Sequence, residues 1–164
     1  MTSVLLSALI VIAMSVTMCS RQWIAPPPPD QPTTQTVKIA NQEFDLELAL
    51  DPNGRYEGLS NRKEVAADGG MLFVFPEPDE VQFVMRDCLV PIDVMFIDAA
   101  GQIVSTHAME VEPVATRSQP DRYYASGAPI QYAIELKGGL IAKLGLKKGD
   151  SIPLPFDSLK RRAR

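Results

Sequence analysis

One stretch indicates the fold class of this chain: Ile92-Asp93-Val94-Met95-Phe96-Ile97-Asp98-Ala99-Ala100-Gly101. Its first six residues predict a strand. The next four place Asp first and Gly last, which is the preference of a type I turn. We therefore predict a β-hairpin here, with a return strand that runs from about Gln102 to Val111.

Further strands are predicted on both sides of this hairpin. Residues Phe44 to Leu50 alternate apolar and polar side chains, as a strand with one buried face does. Residues Gly70 to Phe75 form a continuous apolar run, which is typical of a strand buried on both faces. The remaining predicted elements are strands at 37–40, 130–136 and 151–154 and a short helix at 140–146.

The predicted elements are mostly short strands separated by turns, which favours a sandwich or a barrel over a parallel sheet with crossover helices. We predict a mainly β fold, a compact antiparallel β-sandwich or barrel-like domain with one or two short helices. This single domain is expected to span residues 37–156. The basic residues at 157–164 are expected to form a solvated tail.

The amino-terminal residues suggest export. Residues 4–18 carry no charge, and as a helix of about 22 Å they are short for a membrane span of roughly 30 Å but suit the core of a signal peptide. Cys19 follows, and the segment resembles the lipobox of bacterial lipoproteins, although Met18 stands where a small residue is usual. An ordinary signal peptide remains open, and so does a reversed anchor, because the first positive charge is Arg21.

We accordingly expect a signal peptide or lipoprotein signal at residues 1–19 and a proline-rich linker at residues 20–36. The expected location is the periplasm or the cell surface, with the chain attached to a membrane through its amino terminus. If Cys19 is lipidated, Cys88 is a free thiol, and we expect it to be buried because an exposed thiol would react in an oxidising compartment.

Charge and residue usage limit the chemistry. The formal net charge is −4 and the pI is about 5.0, so we expect no nucleic-acid partner. A single histidine, His107, argues against a transition-metal site. We find no phosphate-binding glycine loop and no signature of a catalytic nucleophile, so we expect no cofactor and cannot assign an enzymatic activity.

Three blocks of the sequence resemble a known family. They are Arg55-Tyr56-Glu57-Gly58-Leu59-Ser60-Asn61-Arg62, then Gly70-Met71-Leu72-Phe73-Val74-Phe75, then Phe83-Val84-Met85-Arg86-Asp87-Cys88-Leu89-Val90-Pro91-Ile92-Asp93-Val94-Met95-Phe96-Ile97-Asp98. Their order and spacing are similar to those of the domain of unknown function 192 family. The resemblance implies a small exported or lipid-anchored protein with a compact β-sandwich or barrel-like domain, and it implies no settled biochemical activity.

The chain departs from that family at five positions. The family usually has Trp, Lys, Asn and Thr where this chain has Val84, Arg86, Asp87 and Cys88, and it usually has a second Met where Ser60 stands. A role that depended on the Asn amide or the Thr hydroxyl is therefore not expected here.

Asp93 is the most informative single candidate for a site. On a strand it points the same way as Met95 and Ile97, which places a carboxylate on an apolar face. A buried carboxylate must be paired or hydrogen-bonded. We expect Arg62 or Arg86 to be its partner, either as the floor of a ligand pocket or as a structural ion pair.

Two functions follow as hypotheses. The first is a non-enzymatic binding or accessory module, with Arg62, Arg86, Asp87 and Asp93 as candidates for binding a small molecule, a glycan or a protein. The second is an envelope hydrolase acting on glycans, with Asp87 and Asp93 as the acid–base pair.

Overall fold

A computed structural model describes residues 33–164 of the chain. Eight strands and three short helices follow one another in this part. They are β1 (Thr34–Ile39), β2 (Gln42–Ala49), α1 (Pro52–Glu57), β3 (Gly69–Asp79), β4 (Gln82–Phe83), β5 (Ile92–Ile97), β6 (Ile103–Met109), β7 (Tyr124–Ala125), β8 (Ile130–Lys137), α2 (Leu140–Leu144) and α3 (Phe156–Arg162). The mainly β fold with short helices is therefore confirmed.

The expected signal at residues 1–19, Cys19 and most of the expected linker lie outside the described residues. The domain begins earlier than the predicted boundary at Val37, because β1 already starts at Thr34 and pairs with β2. No helix within residues 33–164 has the length and apolar character that a membrane crossing requires.

Six strands form one open sheet in the order β1-β2-β3-β8-β5-β6, and β4 pairs with β7 in a separate two-stranded sheet. Neighbours in the large sheet are antiparallel except for β2 and β3, which are parallel. This parallel pair was not predicted. The predicted hairpin is confirmed, and the Oδ1 atom of Asp98 accepts hydrogen bonds from the backbone N–H groups of Ala100 and Gln102, both at 2.9 Å.

The large sheet is buried on both faces. Side chains of alternate residues in its central strands belong to two separate apolar cores. One core contains Leu72, Met95 and Ile134 and is covered by α2 and α3. The other contains Phe73 and Phe96 and is covered by the segments after α1 and β4. We call these the helix face and the loop face of the sheet.

Two predictions about the carboxyl end are wrong. Residues 157–164 are not a solvated tail, because most of them form α3, whose Leu159 is fully buried in the core of the helix face. The predicted strand at 151–154 is reduced to one bridge between Ser151 and Gln102. Pro153 and Pro155 lack the N–H groups that a strand ladder needs, although Ile152 is buried as its apolar character requires.

Candidate functional site

The loop face of the sheet contains a cavity of about 330 Å³. We call it the Glu135 pocket. Its walls come from β3, from α1 and the turn after it, and from β4 with the loop that follows. Its lining includes Arg55, Tyr56, Phe73, Phe83, Arg86 and Glu135.

The first wall is built by α1 and its ends. The Oδ1 atom of Asp51 caps the helix by accepting a hydrogen bond from Gly54 N at 2.9 Å, and Pro52 occupies the first turn, where a missing N–H is harmless. The helix ends at Gly58, whose φ of 52° is costly for residues with a side chain. That turn brings the chain over the sheet, and a Cβ at Gly58 would lie 3.7 Å from Glu135 Oε2.

The second wall is aromatic. Phe83 meets Phe73 edge-on with ring centroids 4.9 Å apart, and it meets Phe96 with centroids 5.1 Å apart. Edge-to-face contacts continue from Phe96 through His107 to Tyr124 on the small sheet. Such pairs add stability beyond simple burial and fix ring positions. The pocket wall is therefore held in place from both sheets.

Glu135 forms the polar part of this apolar cavity. It lies on β8 between β3 and β5, opposite Met71 and Val94, and is 5% exposed. Burial raises the pKa of its carboxyl from 4.5 to about 8, against a backbone hydrogen bond from Leu59 that lowers it. Its Oε2 atom is buried and has no hydrogen-bond partner in the described part of the chain. Most buried polar atoms are satisfied, so this atom is a candidate for contact with a ligand.

Cys88 also lines the pocket and is 5% exposed, as predicted for a free thiol. Burial, with smaller contributions from the charges of Glu135 and Asp87, raises the pKa of the Cys88 thiol to about 12, while Arg86 opposes the rise. The thiolate is the reactive form of cysteine. Cys88 is therefore a neutral, packed side chain at physiological pH.

Of the four predicted binding residues, only Arg86 lines the Glu135 pocket. Its guanidinium lies over the Tyr56 ring, with Cζ 3.7 Å from the ring centroid, and its Nη2 donates to the Tyr56 carbonyl. Arg62 lies elsewhere, in a 2.7 Å ion pair with Glu47 in which both side chains are 45% exposed. The predicted contacts of Arg62 and Arg86 with Asp93 are wrong.

Asp87 connects two loops. Its backbone N–H donates to Arg117 O at 2.9 Å, its carbonyl accepts from Asn61 N at 2.8 Å, and its Oδ1 accepts from Ser118 Oγ at 2.9 Å. These bonds hold it at a positive φ of 52°. Asp87 borders a shallow cleft next to the Glu135 pocket, and Arg86 borders both.

Asp93 is buried, as predicted, but on the helix face of the sheet. It is 3% exposed, and its Oδ2 accepts a hydrogen bond from the backbone N–H of Ile141 at 2.8 Å. Its role is to hold the start of α2 against β5. Since Asp93 lies under α2 and Asp87 lies in a loop on the other face, the predicted acid–base pair is wrong.

Sequence reasoning missed Glu135. The alternation of Tyr132, Ile134 and Leu136 indicates one buried face of β8 and leaves Glu135 on the opposite one. Glu135 is buried because the segments after α1 and β4 cover that second face of β8, which lies at the centre of the sheet. The departures from the family pattern give a weaker indication of where the pocket lies. Four of the five departures, at Ser60, Val84, Arg86 and Cys88, line the pocket.

Residues 33–164 contain no group of three or more His, Cys, Asp or Glu side chains placed to hold an ion. Glu135 has no second carboxylate among the residues that line its pocket.

Comparison with known proteins gives a family and two solved structures. A solved structure from Sinorhizobium meliloti 1021, described as a “putative transcription regulator”, is 32% identical, covers 72% of this chain and 89% of its own, and superposes with a TM-score of 0.61. A solved structure of a protein of unknown function from Novosphingobium aromaticivorans DSM 12444 is 27% identical. The match covers 73% of this chain and 82% of that protein's chain, with a TM-score of 0.62. No curated protein matches the chain.

The family match covers most of the chain and includes every wall of the Glu135 pocket. The model of domain of unknown function 192 (DUF192), described as “Uncharacterized ACR”, matches residues 34–154. The predicted resemblance is thereby confirmed, and the chain belongs to the DUF192 family.

Proposed function

We propose that this protein is a non-enzymatic binding module whose ligand site is the Glu135 pocket. One observation carries the proposal. The Oε2 atom of Glu135 is buried without a hydrogen-bond partner at an aromatic-lined cavity of about 330 Å³. Small-molecule sites are typically concave, mostly apolar and supplied with a few polar groups.

The energetics of burial support a ligand at this position. A buried polar atom without a partner costs about 1–3 kcal/mol. A bound molecule with a hydrogen-bonding atom near Oε2 would recover part of that cost. The volume lies at the lower end of the range for ligand sites, roughly 300–1,000 Å³, so the ligand is small.

The other reactive groups of the pocket support binding rather than turnover. The Cys88 thiol, with its pKa of about 12, is not a nucleophile at physiological pH. The Ser60 hydroxyl donates to the carbonyl of Arg86 at 2.8 Å and joins the two walls of the pocket. The Cys88 Sγ also donates to the carbonyl of Arg86, at 3.6 Å, so both groups are hydrogen-bonded to a backbone carbonyl, which is not the base that activates a nucleophile.

A fragment screen tests the proposal. Ligand-observed NMR would compare small aromatic and aliphatic fragments on the wild type and on Val84→Trp, which places a large side chain in the pocket wall. Val114→Trp is the matched control, because Val114 is 82% exposed and does not line the pocket. We expect fragments that bind the wild type and Val114→Trp but not Val84→Trp. No binding, or equal binding to all three proteins, would show that the pocket is not a ligand site.

We also propose that the module is exported and attached to a membrane through Cys19, at the periplasmic or cell-surface side. The support is the sequence alone, an uncharged run at residues 4–18 that ends next to a cysteine and is followed by four prolines. Labelling of bacterial cells with radioactive palmitate tests this. Label should appear on the wild type and on Cys88→Ser and should be lost in Cys19→Ser. Label retained in Cys19→Ser would contradict attachment at that residue.

A surface with a formal net charge of −4 opposes association with the phosphate backbone, which supplies most of the affinity of DNA-binding proteins. We therefore propose no nucleic-acid partner.

A further inference from the structure

Arg86 places a positive charge at the Glu135 pocket. Within residues 33–164 no carboxylate lies within ion-pair distance of its guanidinium. The Tyr56 ring and the Tyr56 carbonyl hold the group in place, but both leave its charge uncompensated. A fixed, partly buried guanidinium is well suited to bind an anionic group, and it prefers planar carboxylates.

Two of the aromatic rings at the pocket already carry a guanidinium group. Arg86 covers the Tyr56 ring, and Arg55 lies over the Phe75 ring with Cζ 5.3 Å from its centroid. A cationic ligand would have to displace one of these side chains or bind beside it. Arg55 and Arg86 would also repel a cation, so the part of the wall formed by Phe73 and Phe83 suits an uncharged apolar group.

We infer that the ligand of the Glu135 pocket is a small carboxylate with a compact apolar body. Its negative group lies toward Arg86, its body lies against Phe73 and Phe83, and one of its oxygens accepts a hydrogen bond from the acid form of Glu135. This inference rests on the proposed binding function and specifies the chemical class of the ligand.

The protonation of Glu135 supports this arrangement. With a pKa of about 8, the carboxyl is mostly neutral at pH 7 and can donate a hydrogen bond to an anion that a carboxylate would repel. The other titratable or charged groups that line the pocket are Arg55 and Tyr56 from α1 and Arg86 and Cys88 from the segment after β4. Cys88, with a pKa of about 12, stays neutral below about pH 10.

Calorimetric titration of the full chain with three probes of matched shape tests the inference: benzoate, benzyl alcohol and benzylamine. At about pH 6.5 we expect benzoate to bind with higher affinity than the other two probes. Its affinity should fall roughly tenfold for each pH unit above about 8, because only the protonated carboxyl donates. Glu135→Gln carries a permanent N–H donor and should bind benzoate without this pH dependence. Tyr56→Phe, which lacks a titratable phenol, should keep the dependence of the wild type.

Arg86→Gln tests the charge. We expect this variant to bind benzoate with about tenfold lower affinity and to bind benzyl alcohol with the affinity of the wild type. Thermal unfolding of the variant, compared with that of the wild type, shows whether the fold is intact. Arg62→Gln is the matched control, since Arg62 lies outside the pocket, and it should bind benzoate like the wild type.

The outcomes separate the two proposals. Stronger binding of benzylamine than of benzoate, or benzoate affinity that is independent of pH in the wild type, would overturn the inference and leave the binding function in place. The same holds if none of the three probes binds while other fragments bind in the pocket. If no fragment binds there at all, both proposals fail.

Discussion

The carboxylate of Asp93 and the backbone N–H of Ile141 form a buried hydrogen bond of 2.8 Å between β5 and α2. Helix α2 has five residues and begins after Gly139, which supplies no side-chain cap. Asp93 thus provides from the sheet the acceptor that a capping side chain normally provides from the helix itself.

We predict that Asp93→Ala lowers the free energy of unfolding by about 1–3 kcal/mol, because the buried N–H of Ile141 loses its acceptor. Asp93→Asn keeps a carbonyl oxygen in place and should lose less than about 1 kcal/mol. Urea unfolding followed by circular dichroism measures both. Equal losses in the two variants would mean that the negative charge, rather than the acceptor, is what matters.

Glu135 should make stability depend on pH. Because its folded pKa of about 8 is above the ordinary 4.5, the unfolded chain releases this proton first as pH rises. The free energy of unfolding should therefore fall between about pH 4.5 and pH 8, by up to roughly 1.4 kcal/mol per unit, and level off above that window. The difference in the free energy of urea unfolding between the wild type and Glu135→Gln, measured across this pH range, isolates the effect of Glu135. If the free energies of the two proteins change with pH in parallel, the prediction is contradicted.

Helix α3 should contribute to folding through Leu159. We predict that Leu159→Ala costs about 2–5 kcal/mol, as truncation of a fully buried leucine does. Lys160→Ala is the control, because Lys160 is exposed and its ion pair with exposed Glu77 spans 3.6 Å, so its effect should stay within about 0.5 kcal/mol. Chemical unfolding reports both. A negligible loss in Leu159→Ala would restore the interpretation of this segment as a solvated tail.

Gly70 allows β3 and β8 to approach closely. A Cβ at Gly70 would lie 2.2 Å from the carbonyl oxygen of Glu135, which cannot move without breaking the sheet. We predict that Gly70→Ala costs about 3 kcal/mol or more. Gly127→Ala meets nothing within 4 Å and should cost only about 1 kcal/mol for its φ of 70°. Thermal unfolding of the two variants should differ accordingly, and similar midpoints would argue against the steric explanation.

The parts of the fold that depend on neighbouring residues could be predicted from the sequence. The turn at Asp98 is fixed by hydrogen bonds to residues two and four positions ahead, so its chemistry is visible in the chain itself. The parallel pairing of β2 with β3 and the central position of β8 depend on distant segments. Apolar periodicity identifies a strand but does not identify its neighbours.

The candidate site shows the same division. The sequence correctly indicated that Asp93 is buried and needs a hydrogen-bond partner, but a backbone N–H from α2 leaves no mark in the residue pattern. The apolar alternation of β8 says nothing about Glu135, whose burial depends on the distant segments that cover that strand. Arg86 was predicted as a binding residue, but its neighbour in the pocket is Glu135 rather than Asp93.

The strand order has a consequence for how the chain acquires its structure. Strand β8, near the carboxyl end, lies between β3 and β5, which are formed by much earlier residues. As the chain is synthesised from its amino terminus, the centre of the large sheet stays empty until residue 137 is available. Non-local pairing of this kind delays folding. We therefore expect the earlier strands of the large sheet to complete their packing only after residue 137 has been synthesised.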